Sequence, residues 1–256
     1  MTTETTAPEV PARRAGTRDD DRLLPPLLTL TLLSGVIDAV SLLGLGHVFV
    51  ANMTGNLVLG GLALAGAPGT SPAGPLVALG GFVVGALLVR TVAPRRVNHR
   101  TLLGLCAALE AALFVPAAPA WSYDSVEAPA LLPILLCAVA LGMQNAAVKR
   151  LGVSGLTTTV MTSTLTGLIA GRAEERDPAT SRRQTLSVLT LVAGAALGAL
   201  AVRLYGTRWT LAAVAALAVA VAVTVFAGRA RGPVGRRACG RRRRGGRRHA
   251  PWSRTR

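Results

Sequence analysis

The sequence predicts an all-α fold: a polytopic transmembrane helix bundle of about six full spans and two short broken or re-entrant segments, arranged as an inverted internal repeat. Three observations predict it. Hydrophobic residues make up 51% of the 256, and several apolar runs approach the ~20 residues that cross ~30 Å of hydrocarbon. Charges gather at the edges of those runs instead of spreading through them. Ala, Leu, Val and Gly dominate while aromatics are 4%, and small residues let membrane helices approach closely.

Residues 1–22 are rich in Thr, Pro, Arg and Asp and carry no apolar period, which predicts a disordered leader. A basic start, a short apolar region and a cleavage site are all missing from it, so it does not read as a secretory signal. The transmembrane domain is expected over 23–228. Pro25 and Pro26 open the first span, about 27–46, because a first helical turn tolerates proline. Asp38 sits near its middle, with Ser34 and Ser41 four residues before and three after, on one helix face. That polar stripe should face the bundle. A charge at the bilayer centre costs roughly 2.5–3.5 kcal/mol on insertion scales, so it usually has a task or a partner.

Segment 53–66 is too short for a full span and fits a half-helix or re-entrant element. A Pro/Gly/Ser linker, 67–75, follows. Spans come next at about 74–90 and 102–119, split by Arg90, Arg95, Arg96 and Arg100. The second carries Glu110 near its centre. Loop 120–129 has two acids and no base, and span 130–149 ends in Lys149-Arg150. Segment 153–171 is again short and polar. A charged loop, 172–183, leads to spans at about 185–203 and 209–227. The tail, 229–256, is dominated by arginine and expected to be disordered.

The two halves, about 27–119 and 130–227, resemble each other. Gly35-Val-Ile-Asp38-Ala39 matches Gly142-Met-Gln-Asn145-Ala146, and Met53-Thr54 matches Met161-Thr162. Gly81 and Gly85 match Gly194 and Gly198. Basic residues favour the cytoplasmic side of short loops. With both termini cytoplasmic and both short segments entering without crossing, only Arg203 and Arg208 fall outside. Each half then has an odd number of crossings, so the repeat is inverted. Inverted repeats interrupted at matching positions place a binding site near the midplane in many secondary transporters.

The pattern Gly35-x-x-Asp38-Ala, Phe49-Val-Ala-Asn-Met-Thr-Gly-Asn56, Gly142-Met-Gln-Asn145-Ala and the Thr-rich second segment resembles the YoaK family, bacterial integral membrane proteins grouped under a domain of unknown function. The resemblance covers about 27–227, and Asn52 to Asn56 is its most specific stretch. It implies the membrane class and supplies no substrate.

The candidate solute or ion site is Asp38, Ser41, Asn52, Thr54, Asn56, Gln144, Asn145 and Thr162; Asp38 and Glu110 are the candidates for proton coupling. Each has a plainer alternative. Asp38 is an acid held by serines and backbone N–H groups; Asn52 and Thr54 are helix caps; Gln144 and Asn145 bond between helices. Threonines 157 to 166 can bond their own backbone. Cys106, Cys137 and Cys239 are too dispersed for a disulfide framework or a zinc site, so no metal and no cofactor are expected. Gly152-Val-Ser154-Gly155 is similar to the Gly-x-Ser-Gly of rhomboid proteases, but His47, His99 and His249 offer no base in a later span. The chain therefore does not read as an enzyme. The net charge of +16 lies largely in the tail, where it suits anionic lipid beside a final span; nucleic acid is not expected. The expected function is a permease, or secondary transporter, of a small solute in the bacterial plasma membrane. The alternative is a non-transporting structural, assembly or sensory membrane protein. The sequence leaves substrate, direction, coupling ion and oligomeric state open.

Overall fold

A computed structural model describes residues 18–92, 99–120, 130–151 and 178–230. Among these, all regular structure is helical: α1 Arg18–Gly44, α2 Met53–Leu64, α3 Ala73–Val92, α4 His99–Ala120, α5 Leu131–Leu151 and α6 Pro178–Ala230. Helices α1, α3, α4, α5 and α6 are long and apolar enough to cross a membrane. Helix α6 is two spans in one, because Gly206 interrupts it with φ 80° and ψ 166°. Among the described residues six segments of spanning length result, at the positions the hydropathy pattern predicts. Helix α2, of 12 residues, rises only about 18 Å and is too short to be a seventh. Leader residues 1–17, the loop at 121–129, segment 152–177 with Thr162 and the Ser154 motif, and the tail from 231 lie outside the described residues.

Helix α1 starts five residues inside the segment expected as leader, and it passes through Pro25 and Pro26.

Close backbone approach holds the spans together. A methyl group added at Gly35 would overlap the Leu191 carbonyl oxygen, and one at Gly194 the Leu32 carbonyl. The same holds between α3 and α5: Gly85 abuts Val139, and Gly142 abuts Phe82. Only a side chain of hydrogen permits such contact, and tight packing replaces the missing hydrophobic drive between helices in lipid. Large apolar side chains such as Leu87, Leu109, Val192 and Leu200 point outwards, as a lipid-facing surface requires.

These contacts fix the helix directions. Gly194 meets Leu32, Gly198 meets Val36 and Thr207 meets Gly44, so the first arm of α6 runs parallel to α1. Gly81 meets Leu135 and Gly85 meets Val139, so α3 runs parallel to α5. Helix α5 runs against α1: the Ala130 N–H donates to the Leu45 carbonyl at 2.9 Å, while Gln144 reaches Leu30. Helices α1 and α3 are therefore antiparallel. The connection between them, α2 included, starts and ends at the same end of the bundle. By the same logic Leu151 and Pro178 both lie at the opposite end. The second arm of α6 returns from Thr207, beside Gly44, to Val225 and Phe226, beside Gly104.

Candidate functional site

The last helical bond of α1 runs from the Leu45 N–H to the Ser41 carbonyl. The chain then reverses through Gly46 (φ 125°) and His47 (φ 58°). His47 holds the one positive φ of any non-glycine residue among those described, a conformation that occurs mostly in turns. Residues 48–52 are irregular and descend along α1, with Val48, Val50 and Ala51 buried. They end level with Asp38, six residues below Gly44 and so roughly 9 Å down the helix.

There the span's acid finds its partners. One carboxylate oxygen of Asp38, Oδ1, accepts the Val50 N–H at 2.9 Å and the Ala51 N–H at 2.8 Å. The Asn52 N–H continues the same run of donors beside the carboxylate. A buried carboxylate and a run of backbone N–H groups are each costly alone in a membrane. Together they satisfy each other through charge-assisted bonds of about 1.5–3 kcal/mol each. Because Asn52 is the N-cap of α2, the negative charge also stands at the positive end of that helix.

Asn56 makes a second fastening one turn into α2. Its Oδ1 accepts the Phe49 N–H at 2.9 Å, and its Nδ2 donates to the Phe49 carbonyl. The amide thus closes both backbone groups of one residue. The Phe49 ring lies over Gly55, where a Cβ would meet it. From this anchored start α2 climbs outwards, and by Gly60 it stands beside Pro75 in the first turn of α3. The connection therefore enters as irregular chain and leaves as helix, the re-entrant form expected for this segment.

The polar stripe of α1 faces the bundle as its spacing predicts, yet the serines do not hold the acid. Ser41 is fully buried and donates to the Asp38 main-chain carbonyl at 3.0 Å. Ser34 donates to the Leu30 carbonyl and accepts from Gln144 Nε2 at 2.8 Å. Gln144 also reaches the Leu30 carbonyl, so it ties α5 to α1. Its Oε1 is buried without a partner among the described residues. Asn145 donates to Leu141 of its own helix at 2.8 Å. Asn52 and Thr54 are exposed, and Asn52 makes no side-chain capping bond. Asp38 stands where a cap would be.

The structure thus gathers Asp38, Ser41, Asn52, Thr54 and Asn56 around the start of α2, with Gln144 one turn below through Ser34. Glu110 lies elsewhere, on α4 where that helix packs against α5 and α6. Thr162 is outside the described residues. Of the holders that sequence reasoning named for Asp38, the backbone N–H groups are the right ones and belong to Val50 and Ala51; the Phe49 backbone as partner of Asn56 was missed. No metal-holding group of three or more His, Cys, Asp or Glu occurs among the described residues. What this arrangement presents chemically is a helix start already neutralised by a fixed acid, carrying one free amide and one hydroxyl on its open side.

Residues 27–224 match the family described as Protein of unknown function (DUF1275). The UPF0700 transmembrane protein YoaK of Bacillus subtilis (strain 168) is 37% identical over 146 residues, 56% of this chain and 64% of that protein. The matched stretch thus spans somewhat less than two thirds of that relative's length. No solved structure matches the chain.

Proposed function

The chain belongs to this family of membrane proteins of unknown function, and we propose that it is a permease, a secondary transporter, for a small solute. One observation carries the proposal: the connection through α2 enters the bundle and returns to the same end, with the N-terminus of α2 at the depth of a half-buried acid, Asp38. Broken helices whose positive ends point to mid-depth are the form that transporter sites take. Asn52 and Thr54 are the side chains there left open for a solute.

The packing supports two inverted halves. Gly35 of the first half abuts Leu191 of the second, and Gly142 of the second abuts Phe82 of the first. Helices α1, α3 and α4 run opposite to α5 and the two arms of α6, taken in order. In this arrangement Gly85 answers to Gly194, one helical turn from the pairing that sequence matching suggests. Orientation follows from charge: Arg90, Lys149, Arg150, Arg182 and Arg183 lie at one end, against Arg203 and Arg208 at the other. We take the first end as the cytoplasmic one of a bacterial plasma membrane, with both termini on that side and the arginine tail beside anionic lipid.

A second role, structural, assembly or sensory without transport, is favoured by a different observation. Asp38 and Asn56 accept hydrogen bonds from the protein's own backbone, and Gln144 donates one to Ser34. One experiment separates the two. With Cys106, Cys137 and Cys239 replaced, a cysteine at Thr54 is exposed to a membrane-impermeant maleimide. A permease predicts labelling from the aqueous phase and slowing by solutes that occupy the site. No labelling from either side of the membrane would favour the non-transporting role.

A further inference from the structure

We propose that Glu110 is the proton site of this bundle: a carboxylic acid carried neutral inside the membrane that exchanges its proton with water through the protein. Its coupling to transport rests on the permease reading; its proton binding does not.

The observation is the contrast between the two acids within spans. Asp38 has two backbone N–H donors on one oxygen and serves as an anchor. Glu110 is fully buried, and neither of its oxygens has a partner among the described residues. It is the central residue of the apolar stretch Thr101–Pro119. The buried stripe that it interrupts, Leu103, Cys106, Ala107, Phe114 and Ala117, is otherwise without an ionisable oxygen or nitrogen.

Among the described residues, the elements packed on α4 bring no counter-charge to the depth of Glu110: the first arm of α6 carries Arg182, Arg183 and Arg203 near its two ends, with no ionisable residue between. Along α5 the ionisable residues are Cys137 and, in the last turn, Lys149 and Arg150. The second arm of α6 has Arg208 near its start and Arg229 near its end, with none between. Gly104 beside Val225 and Phe226 sets the register, so Glu110 stands level with about residue 219, roughly 16 Å along the helix from Arg208. Cys106, one turn away on α4, is the nearest other titratable group along that helix, and His99 lies three turns away at its start.

An ionised carboxylate cannot be left there without a partner. A hard metal cation needs several oxygen ligands, and Glu110 brings one carboxylate. A proton needs only that one. The step is a reversible dissociation, the carboxylic acid giving carboxylate and a proton to water. It forms and breaks one O–H bond and involves no other reactant.

The test uses the full chain in lipid nanodiscs, made with glutamate bearing a heavy carbon isotope in the side-chain carboxyl. Infrared spectra at neutral pH should show one isotope-sensitive band of a protonated carboxyl. It should vanish in Glu110→Gln, remain in Asp38→Asn, and shift within minutes of transfer to deuterated water. If Glu110→Gln does not fold, the wild-type chain is treated with dicyclohexylcarbodiimide, which adds to neutral acids, and peptide mass spectrometry should place the adduct on Glu110. Absence of the band in wild type, its survival in Glu110→Gln, an adduct elsewhere, or a band unshifted after a day would each overturn the proposal. None of these readouts depends on whether a solute passes Thr54.

Discussion

Two regions of this bundle hold a helix in place by opposite means. Where α1 meets α6, and where α3 meets α5, glycines bring backbone against backbone and no polar group is needed. Where α2 meets α1, two side chains, Asp38 and Asn56, fix a short helix by hydrogen bonds to the chain leading into it. The first region is stabilised over its whole length, so its strength depends on shape. The second is stabilised at two points, so its strength depends on a few polar atoms. In lipid both work, because neither relies on apolar burial, which the surrounding hydrocarbon offers equally to every face.

The comparison can be broken from either side. The largest effect is expected at the glycines. Gly85→Val forces a branched side chain into the Val139 carbonyl and should cost about 3 kcal/mol, the upper end for overpacking, read as lost folded yield and a lowered thermal midpoint in detergent. Gly61→Ala, where nothing lies within 4 Å, should leave both unchanged. Asp38→Ala comes second. It strands the N–H groups of Val50 and Ala51 and should cost about 2–3 kcal/mol, with the six spans still assembled. Hydrogen exchange should rise across 46–64 and stay unaltered in α3 and α5. A uniform rise through all helices would mean that the acid supports the bundle rather than α2.

Asn56→Asp is a finer cut. An ionised aspartate accepts the Phe49 N–H and cannot donate to the Phe49 carbonyl, so half the fastening goes, at about 1 kcal/mol. The exchange of residues 48–56 should fall between wild type and Asp38→Ala. The smallest effect is expected for Gln144→Leu. It removes a bond to Ser34 and also the unpartnered Oε1, so the net change should be within about 0.6 kcal/mol. A larger loss in thermal unfolding would show that Gln144 does more than join α1 to α5.

How far this was legible in the sequence differs between the same two regions. The spans were legible because an apolar run of given length has few other uses, and α3, α4 and α5 begin and end within a few residues of the expected positions. Small differences remain at the ends: α1 reaches back to Arg18, and the last two spans share one helix broken only at Gly206. That Asp38, Asn52 and Asn56 mark a break in the helical run was also legible, since polar residues are rare in such a run. Which backbone groups Asp38 and Asn56 would bond was not. Asp38 bonds to backbone twelve and thirteen residues onward, and backbone N–H groups leave no trace in side-chain identity. For the same reason Asn52 looked like a cap, although the capping charge comes from another helix. Helix directions were legible only through charge, whereas the glycine contacts give them by geometry.

The central claim is that α2 enters and returns, so that the chain before and after it lies on one side of the membrane. Single cysteines at His47 and Ser71, both exposed, test it most directly when paired with one at Thr91, at the far end of α3. In intact cells a membrane-impermeant maleimide should label His47 and Ser71 alike and reach Thr91 only after lysis. Labelling of His47 and Ser71 from opposite sides would make α2 a true crossing and contradict the account.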